Sequence, residues 1–377
     1  MKTIPVIHAA GTPFQCGETV GRALRDAIKA NIPDYLDIFH HVAGAGRDDV
    51  YAYARKLPPA IQAYAPKLID EMQGLAAGAG VTFEDILVLN ARTEIMAGIM
   101  AGRKGGGPDE CTSIATLPEI TANGHMLMGQ NWDWIVTVAS RTALIRLEQE
   151  GHPRALVFTE AGIVGKIGCN EHGIGVCANR LTSSHDKGEI GVPWHIQLRK
   201  AMAAPNMHRA IQAVVQPKRG ASGMFMIGAK GGEAIVLETT PTDFGSLLPE
   251  DGILTHSNHY LCPELKAVDT RKSGSALTLI RHARARRLMA RESGAITLES
   301  YKRVLRDHFS YPQAICRHAD ESDPLADRTL SAASILMNLD SGEMQIAAGP
   351  PCENDYQSLS VLGNVVGATK IKAQAPK

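Results

Sequence analysis

The strongest constraint on the fold is a change of residue pattern near Gly105. Before it, residues 14–104 carry apolar side chains mainly at helical spacing. After it, from Cys111 onward, short apolar runs alternate with turn signals such as Asn123-Gly124, a dipeptide typical of β-hairpins. A helical part followed by alternating strands and helices predicts an α+β fold. A four-layer αββα sandwich, two sheets enclosed by helices, satisfies the layer rules, although the pattern alone leaves other α+β folds open.

The same periodicity predicts individual elements. Thr82, followed by Glu84 and Asp85, is a capping-box-like start for a helix that runs through Ile95. The other predicted helices start near Gly17 or cover residues 33–41, 48–57, 60–77, 193–203, 208–215, 276–290 and 298–307. The predicted strands cover residues 112–117, 125–131, 142–148, 154–160, 174–178, 223–229, 234–239, 334–339 and 344–348.

The charge balance argues against several classes of partner. Lys and Arg together number 39, as do Asp and Glu, so the net charge is zero and nothing favours nucleic acid or an anionic membrane surface. The sequence has no run of about 18 apolar residues, so we predict no membrane span. One locally basic cluster is interpreted as a solvated helix face rather than a phosphate site; it comprises Arg281, Arg284, Arg286 and Arg287.

The cysteines indicate a reducing compartment. There are seven, an odd number, and none of them forms a CxxC pair. The first fifteen residues lack the long apolar core of a signal peptide, and we therefore expect a cytoplasmic protein with free thiols. Most of these thiols are expected to be inert core residues, and Cys169, Cys177 and Cys316 fit that interpretation.

Cys111 is the strongest candidate for a catalytic residue. It opens Cys111-Thr112-Ser113 at a loop-to-strand boundary, directly after the Gly-rich run 105–107, Pro108 and Asp109-Glu110. A Gly-rich approach favours an exposed segment that can be cut. If cleavage made Cys111 a chain terminus, its α-amine, with an ordinary pKa of about 7.7–8.0, would lie beside the thiol and take its proton. A terminal amine activates a nucleophile without a separate histidine.

A polar cluster, Gln130-Asn131-Trp132-Asp133, follows one hairpin downstream. Strand alternation puts Asn131 and Asp133 on one face and Gln130 and Trp132 on the other, and we expect the first pair on the side of the site. Asp133 is expected to accept a hydrogen bond from the Cys111 α-amine and to orient it. Capping of the hairpin end is the alternative role for Asp133.

Two further asparagines are candidates for polar contacts with a reacting carbonyl. Asn258, in Thr255-His256-Ser257-Asn258-His259-Tyr260, is expected to offer its side-chain NH2 to a developing oxyanion. Asn179 ends a predicted strand and is a second candidate, with turn capping as the alternative. The pair His256 and His259 predicts no metal site, because zinc needs three or four ligands and no third ligand follows at a suitable spacing.

Taken in order, these segments resemble the acyl-CoA:isopenicillin N acyltransferase-like family of cysteine N-terminal-nucleophile hydrolases over nearly the whole chain. The segments that carry the resemblance are residues 71–87 with 90–94, Cys111-Thr112-Ser113, Gly129-Gln130-Asn131-Trp132-Asp133, residues 255–260 and Pro351-Cys352-Glu353-Asn354-Asp355-Tyr356. Two positions depart from the pattern. Glu110 stands where a small residue often precedes the cysteine, and Gln130 stands where related bile-salt and penicillin V hydrolases carry arginine. The chain is therefore more similar to the acyltransferase-like branch.

The resemblance implies a fold and a site. The fold would be the N-terminal-nucleophile hydrolase form of the αββα sandwich, with residues 1–110 as a helical N-terminal segment and residues 111–377 as the catalytic core. Self-cleavage would fall between Glu110 and Cys111 and leave the segment packed on the core. Cys111 would be the nucleophile, Asp133 its assistant and Asn258 the oxyanion donor, with Asn131 and Asn179 as oxyanion or supporting residues.

The predicted function is that of a self-processing cysteine amidohydrolase. It would cleave a linear, non-peptide or small-peptide amide through an acyl thioester on Cys111. One alternative is an acyltransferase that moves an acyl group between an amide or acyl-CoA and an amine, and another is an inactive binding protein. No cofactor or metal is implied. The expected partners are a small-molecule amide and the chain's own N-terminal fragment, with homo-oligomer formation and the identity of the acyl and amine groups left open.

Overall fold

The computed structural model describes residues 3–99, 110–270 and 277–363. Over these residues the chain forms eleven α-helices and fourteen strands, and the strands make two sheets. The helices are α1 (Pro13–Ala23), α2 (Arg25–Ala43), α3 (Arg47–Ala54), α4 (Pro58–Tyr64), α5 (Pro66–Ala79), α6 (Phe83–Asn90), α7 (Arg92–Ile99), α8 (Trp194–Met202), α9 (Met207–Val215), α10 (Leu277–Ala290) and α11 (Leu298–Leu305).

The strands divide between an eight-stranded and a six-stranded sheet. The larger sheet has the order β1 (Val6–Gly11), β4 (Thr142–Gln149), β5 (Ala155–Glu160), β6 (Ile167–Asn170), β7 (Ile174–Arg180), β8 (Gly223–Ala229), β9 (Glu233–Thr239) and β10 (Phe244–Leu247). The smaller sheet has the order β11 (Ile253–His256), β2 (Glu110–Thr116), β3 (Leu127–Ile135), β12 (Thr329–Asn338), β13 (Glu343–Ala348) and β14 (Gln357–Ser360).

The two sheets pack face to face and helices cover their outer faces. Strands β2 and β3 of the smaller sheet contact β7 of the larger one, so the main apolar core lies between the sheets. Helices α1, α8 and α9 pack on the larger sheet, and α10 and α11 pack on the smaller sheet. This is the four-layer αββα arrangement that the sequence predicted, and it explains why strands such as β2, β3 and β7 are buried along their whole length.

The N-terminal segment differs from the prediction in two ways. It is not only helical, because β1 pairs in parallel with β4 and extends the larger sheet. The single helix predicted for residues 60–77 is two helices, because Pro66 lacks the backbone N–H that a helix interior requires. Ala65 before it leaves the helical conformation, with φ −152° and ψ 69°. The helix predicted to begin after Thr82 does so, with the Thr82–Asp85 capping box present, but it ends at Asn90 and a second helix follows Ala91.

Helices α1 and α5 approach each other closely, and each glycine at the contact lies against the backbone of the other helix. A Cβ atom on Gly17 would lie 2.0 Å from the carbonyl oxygen of Glu71, and one on Gly74 would lie 2.1 Å from that of Phe14. Gly21 and Gly78 make the same kind of contact one turn along each helix. Side chains at these positions would force the helices apart, which is why the two helices carry glycine four residues apart.

Among the helices of the described segments, no single one is both long and apolar enough to cross a bilayer. Helices α5 and α6, bent by 118° relative to each other, reach that length and apolarity only when they are taken together.

The α1–α5 contact generates a stability prediction. Gly74→Ala should lower the free energy of unfolding by about 1–3 kcal/mol, the usual cost of overpacking a close contact, because the new Cβ meets the Phe14 carbonyl oxygen. Urea unfolding followed by circular dichroism measures this change. Gly46→Ala is the matched control, because Gly46 has φ −75° and its Cβ would meet only a side-chain oxygen of Asp49, at 3.4 Å. Equal stability of the two variants would contradict the close-packing explanation.

Candidate active site

Cys111 is the second residue of β2 and lies between the two sheets. It is 1% exposed, and its Cα partner on β3 is Trp132. Directly opposed residues of an antiparallel pair point to the same face, so the Cys111 side chain shares a face with Trp132. The next residue on this face, Ser113, donates a hydrogen bond of 2.7 Å to Asn179 Oδ1 on β7. The thiol therefore faces the core between the two sheets.

The opposite face of the same strands carries the charged groups. Glu110 pairs with Asp133 and Thr112 pairs with Asn131. This face is covered by α10 and α11, and Arg281 of α10 donates to Thr112 Oγ1 at 2.9 Å. The prediction that Asn131 and Asp133 share a face is confirmed. The thiol of Cys111, however, points to the other side of the sheet, so that in this state only the Cys111 backbone adjoins the face of Asp133.

The peptide bond between Glu110 and Cys111 is held by contacts at both ends. The Cys111 backbone N–H donates to Asn258 Oδ1 at 2.8 Å. The Arg281 guanidinium donates to the Cys111 carbonyl oxygen, to the Glu110 carboxylate and, at 3.0 Å, to Asn258 Oδ1. Arg317 adds a second guanidinium, whose Nη2 lies 3.1 Å from Glu110 Oε2. A bond held in this way has a fixed position relative to the sheet.

Asp133 is fully buried beside this bond. Its Oδ1 accepts a 2.7 Å hydrogen bond from Ser331, and its Oδ2 lies 3.6 Å from Arg317 Nε without a hydrogen bond from any described residue. Burial raises the pKa of the Asp133 carboxyl to about 7, although the Arg317 and Arg281 guanidiniums and the Ser331 hydrogen bond oppose that rise. The carboxyl therefore titrates near neutral pH, and one of its oxygens accepts no hydrogen bond from the described residues.

The three candidate asparagines make different contacts from those expected. Asn258 directs its Oδ1, not its NH2, at Cys111, and the NH2 donates to the Arg180 carbonyl oxygen at 3.1 Å. In this structure it therefore holds the backbone N–H of Cys111. Asn179 donates to the carbonyl oxygens of His256 and Ser257, at 3.1 and 2.8 Å.

Asn131 also departs from an oxyanion role. It donates both amide hydrogens to backbone carbonyl oxygens, those of Leu305 and Ile315, each at 2.8 Å. Its contacts, like those of Asn179, are those of a supporting residue, which is the second of the two roles that the sequence left open. The catalytic roles of Cys111, Asp133 and Asn258 stay predictions.

Two arginines at the site were missed by the sequence analysis. The prediction that Arg281 belongs to a solvated helix face is wrong, because Arg281 is 2% exposed and contacts both Glu110 and Cys111. A signal was present: Arg281 shares helical spacing with the buried residues Thr278, Ala285 and Met289. Arg317 had no such signal, since it lies in the loop between α11 and β12. The other three members of the basic cluster are partly or fully exposed, as expected; they are Arg284, Arg286 and Arg287.

The remaining sequence features fall outside the site or outside the described residues. His256 is buried, with Nε2 2.7 Å from Glu238 Oε1 and Nδ1 2.8 Å from the Ser257 carbonyl oxygen, so both ring nitrogens have protein partners. The Gly-rich run before Cys111, residues 105–107, lies outside the residues that the structure describes.

Comparisons with known proteins point to one family. Residues 120–351, more than half of the chain, match the family described as acyl-coenzyme A:6-aminopenicillanic acid acyl-transferase. A curated relative is the 40 kDa form of acyl-coenzyme A:6-aminopenicillanic-acid-acyltransferase from Emericella nidulans, 28% identical over 371 residues, which are 97% of this chain and 99% of that protein.

Two solved structures are also similar. A mutant of the conjugated bile acid hydrolase from Clostridium perfringens is 14% identical, with a TM-score of 0.49, and the match covers 70% of this chain and 97% of that one. Penicillin V acylase from Agrobacterium tumefaciens is 12% identical, with a TM-score of 0.44, and the match covers 63% of this chain and 83% of that one.

The raised pKa of Asp133 generates a prediction about stability and pH. An unfolded Asp ionises near pH 3.9, so between about pH 4 and 7 the folded chain keeps a proton that the unfolded chain has released. The free energy of unfolding should therefore fall as the pH rises through that window. In a Cys111→Ala background, adding Asp133→Asn should remove this fall and make the double variant gain about 1–3 kcal/mol relative to the single variant between about pH 5 and 8.

Urea unfolding across this pH range measures the difference between the two variants. Asp37→Asn in the same background is the control, because Asp37 is exposed on α2 and its loss should shift the whole curve without changing its slope. A constant offset between Cys111→Ala and the double variant at every pH would show that Asp133 is ionised throughout.

Proposed function

The chain belongs to the acyl-coenzyme A:6-aminopenicillanic acid acyl-transferase family, and it is an enzyme that acts on amide bonds; we propose that it is a self-processing cysteine amidohydrolase. The observation that carries the proposal is the environment of the Glu110–Cys111 peptide bond. Asn258 holds its N–H, Arg281 holds the residue on either side of it, and Asp133 lies opposite Glu110 in the strand register. A fixed amide bond next to a cysteine thiol is what an intramolecular attack requires.

Self-cleavage would begin with attack by the Cys111 thiol on the Glu110 carbonyl carbon. The new bond joins Cys111 Sγ to that carbon, the bond from that carbon to the Cys111 nitrogen breaks, and the nitrogen gains the proton that the thiol loses. Water then hydrolyses the resulting thioester. The products are a Glu110 carboxylate and a Cys111 with a free thiol and a free α-amine.

Substrate turnover would repeat this chemistry on an external amide. The α-amine takes the thiol proton, the thiolate attacks the substrate carbonyl, and the amine product leaves with the proton. Asp133 is suited to orient the α-amine, because its Oδ2 accepts no hydrogen bond from the described residues before cleavage. Water or a second amine then takes the acyl group from the sulfur.

The buried arginines favour a particular class of substrate. Arg281 and Arg317 both contact the Glu110 carboxylate, beside the bond that would be cut. If this carboxylate withdrew after cleavage, the two guanidinium groups would face the space that it leaves beside the Cys111 backbone, with Asp133 as their counter-charge. An amide whose acyl part carries a carboxylate would replace the charge of Glu110, since buried guanidinium groups need a paired anion.

The acyltransferase alternative rests on the family and on the Emericella relative, whose name states that activity. An acceptor amine needs binding energy and orientation, whereas water needs neither. The sequence has no motif that we can assign to the phosphates of coenzyme A. We therefore favour hydrolysis as the main reaction.

The first prediction of the proposal is self-cleavage. Mass spectrometry of denatured protein should detect fragments of residues 1–110 and 111–377, while native mass spectrometry should detect them together. They should stay together because β1 pairs with β4 and because Arg92 donates to the buried Glu160 at 2.8 Å. Both contacts join the two fragments without using the bond that is cut.

Two variants control this experiment. Cys111→Ala should remain full length, since alanine offers no nucleophile, and Cys16→Ser, which changes a buried thiol on α1, should be cut like the parent. A parent chain that stays uncut and yet turns over amides at full rate would rule out the free α-amine as the base.

The second prediction concerns the fate of the acyl group. Cleaved enzyme supplied with an amide of a dicarboxylic acid and increasing amounts of a second amine should release mainly free acid, because water reaches the thioester without a binding site. Liquid chromatography of acid against new amide measures the partition. A matched amide that lacks the second carboxylate should give a kcat/KM lower by about tenfold or more, the size of one lost charge-assisted contact.

Two outcomes would change the assignment. Efficient formation of the new amide at low amine concentration, or turnover only with acyl-CoA, would identify the enzyme as an acyltransferase. Equal kcat/KM for the acidic and neutral amides would remove the arginine pair from substrate binding and leave the self-cleavage result unaffected.

A further inference from the structure

Four side chains of types that can ligate a metal converge at one point beside the smaller sheet. Their ligand atoms all lie within 4.8 Å of one another, and the four residues are His308, Cys316, His318 and Cys352. Three come from the loop between α11 and β12, and Cys352 comes from the turn between β13 and β14. Cys316 is buried, His318 is half-buried, and His308 and Cys352 are exposed, so the cluster is open to solvent on one side.

The distances within the cluster match the edges of a small tetrahedron. The two sulfur atoms are 3.5 Å apart, and the two Nε2 atoms of the histidines are 3.2 Å apart. His318 Nε2 lies 3.2 Å from the sulfur of Cys352 and 3.7 Å from that of Cys316. Zinc bonds of about 2.3 Å to sulfur and about 2.0 Å to nitrogen in a tetrahedral site require edges of about 3.8 Å between sulfurs and about 3.3–3.6 Å for the others.

The loops that bring the ligands together are held by contacts of their own. The Cys316 N–H donates to the Asp307 carbonyl oxygen at 3.0 Å, and the His318 N–H donates to that of Pro312 at 3.0 Å. The Arg306 side chain donates to the Pro351 carbonyl oxygen at 2.7 Å and so ties the turn of Cys352 to the end of α11. These backbone and Arg306 contacts hold the two segments in place independently of the contacts among the four side chains.

A carboxylate completes the pattern behind one ligand. Glu353 Oε1 lies 3.3 Å from His318 Nδ1, the ring nitrogen that faces away from the cluster. Ligating histidines almost always give their second nitrogen to such an acceptor, which fixes the tautomer and turns the other nitrogen to the metal. A disulfide between the two cysteines would require neither the histidines nor this carboxylate.

We propose that His308, Cys316, His318 and Cys352 form a Cys2His2 site for one zinc ion. Binding would release one proton from each of the two thiols to solvent, and two thiolates with two neutral imidazoles would leave the occupied site without net charge. Four protein ligands close the coordination sphere, so the site is structural and takes no part in the chemistry at Cys111. A Cys316–Cys352 disulfide is the competing use of the same thiols.

The site has a consequence for the active site, because its ligands Cys316 and His318 flank Arg317. The guanidinium of Arg317 reaches Glu110 and Asp133. The carbonyl oxygen of Ile315, the residue before Cys316, accepts a hydrogen bond from Asn131. A zinc ion bound by the residues on both sides of Arg317 would fix the backbone from which the Arg317 side chain extends. Metal loss should therefore loosen the loop before it affects the sheet.

The test is elemental analysis of the protein as purified under reducing conditions and of its variants. The parent should hold about one zinc ion per chain, and Cys352→Ser and His308→Gln should each reduce this to about one tenth or less. Both changed residues are exposed, so the variants should fold, and circular dichroism of the same samples checks this. Cobalt added to metal-free parent should give the visible absorption of a tetrahedral thiolate site, and both variants should lose it.

The matched controls are Cys16→Ser and His208→Gln, which change a thiol and an imidazole far from the cluster and should keep the full zinc content. Three results would overturn the proposal: parent protein that neither retains zinc nor binds added zinc or cobalt, zinc content unchanged in Cys352→Ser and His308→Gln, or a Cys316–Cys352 disulfide in place of bound metal. None of these outcomes depends on whether the chain cleaves itself or which amide it hydrolyses.

Discussion

Burial of opposite charges around a single peptide bond is the constraint on which the rest of this site depends. Glu110, Arg281, Arg317 and Asp133 are each less than a tenth exposed, and ions removed from water are tolerated only when they are paired. The pairing explains why Arg281 lies on the inner face of α10 and why Arg317 extends from its loop toward the sheet. It also explains how the chain accommodates a glutamate directly before Cys111, because the Glu110 carboxylate balances the charges of two guanidinium groups.

The same constraint links cleavage to the charge of the site. Before cleavage, the Glu110 carboxylate partly neutralises the arginines and also raises the pKa of Asp133. If the proposed cleavage let the Glu110 carboxylate withdraw, that contribution would be lost and the pKa of Asp133 should fall, because Arg317 and Arg281 would still lower it. A lower pKa favours the carboxylate form, which the proposed role of Asp133, orienting an ammonium group, requires.

How much the sequence could predict depends on the range of the interactions involved. The Thr82 capping box, the alternation of Asn131 and Asp133 and most hairpins follow from residues a few positions apart, and these predictions are confirmed. Strand β1 was missed because its partner, β4, lies more than 130 residues away. The cluster of His308, Cys316, His318 and Cys352 could not be predicted for the same reason. Cys352 lies 34 residues beyond His318, and the cysteine pattern predicts that Cys316 is an inert core residue.

The orientation of the Asn258 side-chain amide could not be predicted for a different reason. The sequence identified the residue but not which end of its amide would face Cys111, because that choice is made by the Arg180 carbonyl oxygen and the Arg281 guanidinium across the sheet. Both are contacts at long range in the chain. A polar side chain can thus be found from its motif, while its function in a given state is set by partners that the motif does not contain.

The motif Gly129-Gln130-Asn131-Trp132-Asp133 shows how one strand serves both faces of the sheet. A Cβ on Gly129 would lie 2.7 Å from the Tyr301 ring, so glycine lets α11 approach. Gln130 exchanges two hydrogen bonds with the Ala178 backbone and donates to Asn179, which in turn holds the backbone just before Asn258.

This chain of amide contacts runs from β3 through β7 to the residue that holds the Cys111 N–H. On the opposite face, Asn131 fixes the loop of Arg317 through the Ile315 carbonyl oxygen. Asp133 and Trp132 lie opposite the bond that would be cut, paired with Glu110 and Cys111. The first three residues of the motif therefore act by position, and a loss of activity on changing Gln130 or Asn131 would be evidence about the placement of Asn258 or Arg317 rather than about the chemical step.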